Sequence, residues 1–202
     1  IGLTALSGGF FRGLTTEADA FLDNSGTTVG VDPDGLGPLP ANGAEVLNDD
    51  NYVQGVRWTG SGGFAAWNGI QAVNLFNDSR QLTWGSGGFV PTNQRLTFGY
   101  ITADGTVDFQ NGINFGTAAR TVDVRDGLAG VDAMMSGVLT GGVGGGLTKV
   151  GVGTLALSGA NTYTGATAVN EGALLVNGTL ANTAVTVLAG GTLGGSGTIA
   201  GT

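Results

Sequence analysis

The last third of the chain alternates large apolar residues with small or polar ones, and glycines interrupt the alternation at regular intervals. In "GTLALSG", residues 153–159, the apolar residues Leu155 and Leu157 stand two positions apart, as they do on one face of a β-strand. The glycines at both ends favour turns, because glycine tolerates the backbone angles that tight turns require. The pattern therefore predicts a short strand between two turns.

Two later stretches repeat this pattern at a constant distance. "GALLVNG" at 172–178 lies 19 residues after 153–159, and "GTLGGSG" at 191–197 lies 19 residues further on. One such unit cannot pair its own backbone groups, so it has to stack on its neighbours. Stacking in register predicts an inward ladder of the leucines at one repeat position, namely Leu155, Leu174 and Leu193.

The repeat predicts an all-β fold, a single-stranded parallel β-solenoid with an irregular N-terminal cap or extension. Ser158, Asn177 and Ser196 fall at one repeat position and are expected to form a polar row at a corner. Charge is scarce here, since Lys149 and Glu171 are the only charged residues from position 149 onward. Stacking explains this scarcity, because a charge in the repeat would lie about 4.8 Å from its own copy.

Residues 51–140 have a looser pattern, and we interpret them as irregular coils of the same solenoid. "WTGSGGF" at 58–64 returns as "WGSGGF" at 84–89, which we take as equivalent positions one long coil apart. Short alternating segments follow, separated by Asn-Gly and Asp-Gly pairs that favour turns. Large aromatic side chains are expected inside these coils. The predicted domain is continuous from about residue 51, with regular 19-residue coils over 141–202.

Residues 1–50 are predicted to be a cap or extension. "LTTEADAFLDNSG" at 14–26 begins like a helix, and either a short helix or an extended cap fits it. Residues 31–43 carry three of the four prolines, which disfavour internal strand pairing and indicate a loop or linker. Because the chain starts at Ile1 without a leader pattern, we expect a removed leader or a piece of a longer protein.

Composition narrows the functional classes. The chain of 202 residues has 41 glycines, 15 acidic and only 7 basic residues, and a net charge of −8. Basic residues this sparse form no stripe along a phosphate backbone, so nucleic acid is not expected as a partner. No run approaches the roughly 18 apolar residues of a membrane span, so membrane insertion is not expected.

The chain has neither histidine nor cysteine, which excludes Ser-His-Asp and Cys-His catalysis and histidine-ligated zinc. Carboxylates alone can serve a polysaccharide-cleaving enzyme. Alternation in "TVDFQ" and "TVDVRD" places the charged side chains outside, which is the ordinary position of solvated charge. We therefore predict no catalytic residues, and the candidates for this alternative are Asp104, Asp108, Asp123, Asp126, Arg120 and Arg125.

Two weaker binding sites can be suggested from residue types. Trp58, Trp67 and Trp84 could contact carbohydrate, although aromatic residues of wide coils more often fill the core. Asp32 and Asp34, with Asn48 and the pair Asp49 and Asp50, offer oxygen ligands for calcium at loops. The spacing matches no EF-hand, so no cofactor is predicted and calcium is the alternative.

The stretch "GGLTKVGVGTLALSGANTYTGATAVNEGALLVNG" at 145–178 resembles the autotransporter passenger-associated β-strand repeat. The likeness covers "LTK", "GTL", "LSG" and "NTYTG", followed by "T-x-V" and "G-x-L", and it extends over about the last third of the chain. The resemblance implies a right-handed β-solenoid exported to the bacterial surface. It brings no catalytic residues with it.

The combined prediction is a structural, non-catalytic extracellular module, with an adhesin or carbohydrate-binding segment as the alternative and a polysaccharide-active enzyme third. The repeat pattern continues to the last residues, so either the chain was cut from a longer protein and a neighbouring molecule caps this end, or copies stack head to tail into a filament. We favour self-association. The predicted contact residues are Leu193, Gly195, Thr198, Ile199, Ala200, Thr202, Ile1 and Leu3.

Overall fold

The computed structural model describes residues 58, 60–75, 80–86, 88–181 and 183–201, and the backbone of 21–22 and 28–29. Every regular element within these residues is a β-strand. β1 (Phe21–Leu22) and β2 (Thr28–Val29) form a short antiparallel pair. The rest of the predicted cap or extension at 1–50 lies outside the described residues.

The remaining strands form six successive coils of three strands each. In chain order the coils are β3 (Gly62–Phe64), β4 (Ile70–Val73) and β5 (Leu82–Thr83); β6 (Leu96–Phe98), β7 (Thr106–Phe109) and β8 (Ile113–Asn114); β9 (Arg120–Val124), β10 (Ala133–Met135) and β11 (Leu139–Thr140); β12 (Leu147–Val150), β13 (Thr154–Leu157) and β14 (Ala160–Asn161); β15 (Thr167–Val169), β16 (Gly172–Val176) and β17 (Thr179–Leu180); and β18 (Val185–Val187), β19 (Gly191–Gly194) and β20 (Thr198–Ile199).

The three strands of each coil contribute to three sides of the solenoid. Sheet 1 joins β3, β6, β9, β12, β15 and β18, and sheet 2 joins β4, β7, β10, β13, β16 and β19. The third side consists of β5, β8 and β11 followed by β14, β17 and β20, and the Leu139 N–H bridges its two halves by donating to Asn161 Oδ1 at 3.0 Å. All strand pairs on these sides are parallel, which confirms the predicted parallel β-solenoid.

The register of sheet 2 confirms the repeat and shows how the coils narrow. Leu155 pairs with Leu174 and Leu174 with Leu193, so these two steps along the chain are equal in length and match the sequence repeat. The two preceding steps are longer, since Val107 pairs with Ala133 and Ala133 with Leu155. The predicted boundaries at residues 50 and 140 remain predictions, because the coil length falls gradually.

Glycines at one corner allow the regular coils to approach closely. Gly159, Gly178 and Gly197 occupy the same repeat position, directly after the polar row predicted at this corner. A Cβ on Gly178 would collide with the carbonyl oxygen of Gly159, and one on Gly197 would collide with that of Gly178. Ser158, Asn177 and Ser196 are exposed beside this glycine column, which confirms the polar row.

The irregular coils enclose aromatic side chains, as predicted. The ring of Phe109 lies at the centre, with centroid distances of 6.2 Å to Phe64, 6.1 Å to Phe89 and 5.9 Å to Phe98. Each of these rings is buried. In the narrower coils the interior positions hold aliphatic residues such as Leu155 and Leu174.

The predicted equivalence of the two tryptophan motifs is wrong. Phe64 pairs with Phe98 in sheet 1 rather than standing one coil from Phe89. Trp84 follows β5 on the third side, where its backbone N–H donates to the Asn114 carbonyl at 3.0 Å. The two motifs therefore lie on different sides of one coil, because the similar sequences serve different turns.

Candidate functional sites

The last coil carries the predicted assembly surface. β18, β19 and β20 are the end strands of their sheets. Their inward-facing residues Val187, Leu193 and Ile199 are 41, 36 and 37% exposed, whereas the residues paired with them in the preceding coil are at most 1% exposed. Within the described residues, no further coil covers these interior positions.

Of the other predicted contact residues, three lie in the last coil and three lie outside the described residues. Thr198 and Ala200 are exposed on the last coil, and the Ala200 N–H donates to the Leu180 carbonyl at 2.9 Å. Gly195 has a positive φ of 109°, and a Cβ there would collide with the Val176 backbone. The remaining three lie outside the described residues: Ile1, Leu3 and Thr202.

The candidate acidic residues of a polysaccharide enzyme do not converge. Asp108 lies on β7 in sheet 2 and Asp123 on β9 in sheet 1, and both point away from the core as predicted. Asp108 accepts a hydrogen bond from Ser136 Oγ at 2.6 Å, while Asp123 forms an ion pair with Arg95 at 3.7 Å. Exposed charges stand in the connections between the two sheets, namely Asp104, Arg125 and Asp126.

Arg120 does not lie on the outer face with the other candidate charged residues. Its side chain is buried, and it alternates with Val122 and Val124 on the interior side of β9. Arg120 Nε donates to the Phe115 carbonyl at 2.9 Å and Nη1 to the Thr92 carbonyl at 2.7 Å. Burial lowers the pKa of Arg120. The guanidinium therefore joins backbone segments and does not belong to a surface groove with the acidic residues.

Lys149 is the second buried cation, with 0% of its surface exposed. Its Nζ donates to the carbonyl oxygens of Val150 at 3.0 Å, Gly151 at 2.6 Å and Glu171 at 3.1 Å. Burial lowers the pKa of Lys149 to about 8, and the charges of Asp123, Asp132 and Glu171 oppose this shift. The ammonium group connects the corner of the fourth coil to that of the fifth.

Asp132 is a buried carboxylate with a similar role, and 2% of its surface is exposed. Its two oxygens accept the N–H groups of Gly127 at 2.7 Å and Thr154 at 2.8 Å. Burial raises the pKa of Asp132, while these two N–H groups and Lys149 lower it. The Lys149 ammonium and the Asp132 carboxylate are both shielded from solvent. They therefore link neighbouring coils through hydrogen bonds and are not accessible to a substrate.

The tryptophan prediction needs correction at two of its three positions. Trp58 and Trp84 are 7 and 3% exposed, because they fill the wide first coil, so they cannot form a sugar-binding face. Trp67 is half-buried at the surface; its Nε1 donates to the Thr102 carbonyl at 3.0 Å, and its ring lies 6.5 Å from that of Tyr100. Carbohydrate contact at Trp67 remains a prediction.

Trp84 provides a test of the aromatic core. Within the described residues its buried Nε1 has no hydrogen-bond partner. Trp84→Phe is expected to change the free energy of unfolding by less than about 1 kcal/mol, because removal of the unpaired donor offsets the lost ring volume. Trp84→Ala is expected to lower it by about 3–5 kcal/mol. Urea unfolding followed by circular dichroism measures both values, and equal losses would contradict the assigned burial.

The predicted calcium ligands Asp32, Asp34, Asp49 and Asp50 lie outside the described residues, so this site stays a prediction. Among the described residues, no three acidic side chains come close enough together to hold a metal ion. The same residues contain no helix long and apolar enough to cross a membrane.

Comparison with known proteins identifies the repeat. Residues 147–176 match the family described as passenger-associated-transport-repeat. The adhesin BmaC autotransporter of Brucella suis biovar 1 (strain 1330) is 30% identical over 156 residues, which cover 76% of this chain and 4% of that protein. No solved structure matches the chain. Residues 147–176 therefore contain a passenger-associated-transport-repeat, which confirms the resemblance seen in the sequence.

Proposed function

We propose that this chain is a non-catalytic structural segment of a surface-exposed or extracellular autotransporter passenger. A passenger repeat matches residues 147–176, and a similar protein is named an autotransporter adhesin. The six stacked coils support a scaffold that extends in one direction. This role needs no cofactor, nucleic acid or membrane insertion.

The finer proposal is that the last coil stacks on a coil of a second copy, giving a head-to-tail assembly. The exposure of Val187, Leu193 and Ile199 at interior positions carries this proposal. Parallel pairing buries the same positions in every preceding coil, so a further coil would extend an interface of the same kind. A following coil of a longer chain is the competing occupant.

The double variant Thr198→Asp/Ala200→Asp is expected to abolish this assembly. The two added carboxylates on the end strand would repel each other, and burying them in the interface would cost their hydration. Light scattering over a dilution series and electron microscopy measure the assembly. Thr117→Asp/Ala119→Asp is the matched control, since it places the same side chains with the same spacing at exposed positions on a connection away from the last coil. A wild-type protein that stays monomeric at high concentration contradicts the proposal, and so does equal loss in both variants.

A second candidate function is adhesion, which is favoured by the name of the similar Brucella protein. Trp67 and Tyr100 form the aromatic surface that would contact a glycan. Binding of the wild type and the Trp67→Ala variant to a glycan array tests this candidate. Enzymatic action on acidic polysaccharides is the third reading, and an activity screen with Asp108→Asn and Asp123→Asn variants tests it.

A further inference from the structure

Arg120 has hydrogen-bond donors that the fold does not use. Its side chain is 7% exposed, and its Nε and Nη1 donate to the carbonyls of Phe115 and Thr92. A guanidinium carries five N–H groups, and two of them belong to Nη2. Among the described residues no acceptor bonds Nη2, and Trp84 Nε1 is the one fully buried side-chain nitrogen without a partner. The N–H groups of Nη2 are therefore not closed off from the surface.

The charge of Arg120 also lacks a counter-charge, unlike that of the other buried cation. The carboxylates of Asp123, Asp132 and Glu171 act on Lys149 and raise its pKa against the effect of burial. For Arg120, burial alone lowers the pKa, and no carboxylate in the described part of the chain opposes it. Because buried charges in proteins are normally paired, Arg120 is a cation to which an anion can be added.

The corner around Arg120 carries no acidic residue. We call it the arginine corner; it consists of the connections from the third side back to sheet 1, at residues 84–95, 115–119, 141–146, 162–166 and 181–184. These connections contain Arg95 and no aspartate or glutamate, and Arg120 directly follows the second of them. The acidic residues of the described connections lie between sheet 1 and sheet 2, namely Asp104, Asp126, Asp132 and Glu171. An anion at the arginine corner therefore meets no like charge on these connections.

Open space lies beside Nη2 because residue 116 is a glycine. Gly116 has a φ of 70°, and a Cβ placed on it would have one neighbour among the described residues within 4 Å, Arg120 Nη2 at 3.7 Å. The glycines of the next coil are different, since a Cβ on Gly144 or Gly145 would collide with a backbone carbonyl. We call the space beside Gly116 the recess, and Nη2 borders it.

Hydrogen bonds hold both sides of the recess in place. The Gly116 N–H donates to Asn114 Oδ1 at 2.9 Å, and the Gly116 carbonyl accepts the Gly142 N–H at 2.8 Å. The bonds from Nε and Nη1 to two separate backbone segments fix the guanidinium. Because the donor and the recess are already ordered, binding would require little loss of conformational freedom.

The chemistry of the recess suits a carboxylate. Hydrogen bonds between a guanidinium and a carboxylate are short and charge-assisted, and they are stronger than bonds between neutral groups. The recess offers the two N–H groups of one nitrogen, whereas the several oxygens of a phosphate dianion call for more donors. A carboxylate oxygen beside Gly116 would complete the hydrogen bonding of Arg120 and compensate its charge.

We propose that Arg120 Nη2 and the recess beside Gly116 form a binding site for the carboxylate of a ligand. A sugar acid and the C-terminus of a peptide both supply this group. The inference goes beyond the proposed scaffold role. It does not depend on stacking of the last coil, because the recess lies on the side of the solenoid between the second and third coils.

The first test places a carboxylate in the recess through the chain itself. Aspartate and asparagine both tolerate positive φ, and their polar groups begin one bond beyond Cβ, within reach of Nη2. Gly116→Asp is expected to have a folding equilibrium constant at least about threefold larger than that of Gly116→Asn at pH 7. The difference should shrink as the pH falls below about 4, where the carboxyl becomes protonated. Urea unfolding measures both variants.

The matched control is the pair Gly69→Asp and Gly69→Asn. Gly69 also has a positive φ, of 93°, and open space for a Cβ. The nearby charge is that of Asp104, which accepts the Asn68 N–H at 2.8 Å. Aspartate is therefore expected to be no more stable than asparagine at this position.

The second test measures binding of small carboxylates by nuclear magnetic resonance. Sodium acetate, sodium glucuronate and N-acetylglycine are expected to shift the Gly116 and Thr117 amide signals, whereas glucose should not. Gly116→Asp and Arg120→Gln are each expected to weaken binding at least about tenfold. Arg125→Gln is the control, because Arg125 is an exposed cation at a different corner and its loss should leave binding unchanged. Circular dichroism checks the fold of each variant.

The three carboxylates distinguish the sources of the ligand. Tighter binding of glucuronate assigns the site to a sugar acid, and tighter binding of N-acetylglycine assigns it to a peptide C-terminus. Equal binding of all three supports recognition of the carboxylate alone. If Arg120→Gln fails to fold, the Gly116 variants decide, since both keep the guanidinium.

Four outcomes would overturn the proposal. Equal stability of Gly116→Asp and Gly116→Asn would show that Nη2 attracts no carboxylate, and an equal gain in the Gly69 pair would remove the role of Arg120. Inorganic phosphate that binds more tightly than acetate would contradict the choice of a carboxylate. Absence of any shift in the Gly116 signal with all three carboxylates would remove the site.

Discussion

Replacement of Lys149 by methionine is expected to lower the free energy of unfolding by about 2–4 kcal/mol at neutral pH, because buried acceptors lose a charged donor. The ammonium group donates to three carbonyls, and one of these belongs to Glu171 in the next coil. Methionine fills a similar volume but donates no hydrogen bond. The loss is expected to appear first at the contact between the fourth and fifth coils.

The contribution of Lys149 also depends on pH. Its folded-state pKa of about 8 lies below the unfolded value of 10.5, so the unfolded chain binds more protons between these values. Stability contributed by this group therefore rises as the pH increases from about 8 to 10.5. Tyr163 acts in the opposite sense at higher pH, because burial raises its pKa to about 12, so the measurement is made below pH 10.

Urea unfolding at pH 7, 8 and 9 measures this effect in the wild type and in Lys149→Met. The rise in stability above pH 8 is expected in the wild type and should be absent from the variant. Arg125→Met is the control, because Arg125 is an exposed cation in a neighbouring corner connection and its loss should change stability by less than about 0.5 kcal/mol. An identical pH profile in all three proteins would contradict the assigned role of Lys149. Hydrogen exchange locates any loss, since stacked coils can unfold separately.

The second large effect is expected for Phe109→Ala, which should lower the free energy of unfolding by about 3–5 kcal/mol. Its ring contacts those of Phe64, Phe89 and Phe98, which come from the first two coils. Removal of the ring leaves a cavity that the paired strands around it cannot close. Denaturant unfolding measures the loss.

Two variants make the Phe109 result interpretable. Phe109→Leu keeps most of the volume and is expected to lower stability by only about 1–2 kcal/mol. Ile70→Ala removes an aliphatic group that is 68% exposed and should have little effect. If Phe109→Ala proves no worse than Ile70→Ala, the aromatic cluster does not support the wide coils.

The regular half of the fold is predictable because its coils have one length. A constant offset along the chain places Leu155, Leu174 and Leu193 at one position, and parallel pairing follows from that identity. The upstream coils differ in length, so similarity between two segments no longer implies the same position. The tryptophan motifs at 58–64 and 84–89 are therefore similar in sequence without occupying equivalent positions in the strand pairing.

The buried cations were missed for a different physical reason. Alternation alone places Arg120 with Val122 and Lys149 with Leu147 on the interior side, so the signal was present in the sequence. Charged residues are rarely buried without partners, and this general rule argued for the surface. The partners here are backbone carbonyls of other segments, which no pattern of side chains reveals.

The last coil shows what the sequence can and cannot predict about a surface. Repeat position predicts that Leu193 is an inward residue, but its exposure follows from its place in the end strand.

The narrowing of the coils sets how much length the chain gains from each residue. Every coil advances the structure by about 4.8 Å, both over the long step from Val107 to Ala133 and over the short step from Leu174 to Leu193. The narrow coils thus extend the solenoid by about a third more length per residue than the wide coil between Val107 and Ala133 does. Their thinner cross-section encloses fewer interior side chains. Under a pulling force, we expect the slender part to bend and peel before the aromatic part does.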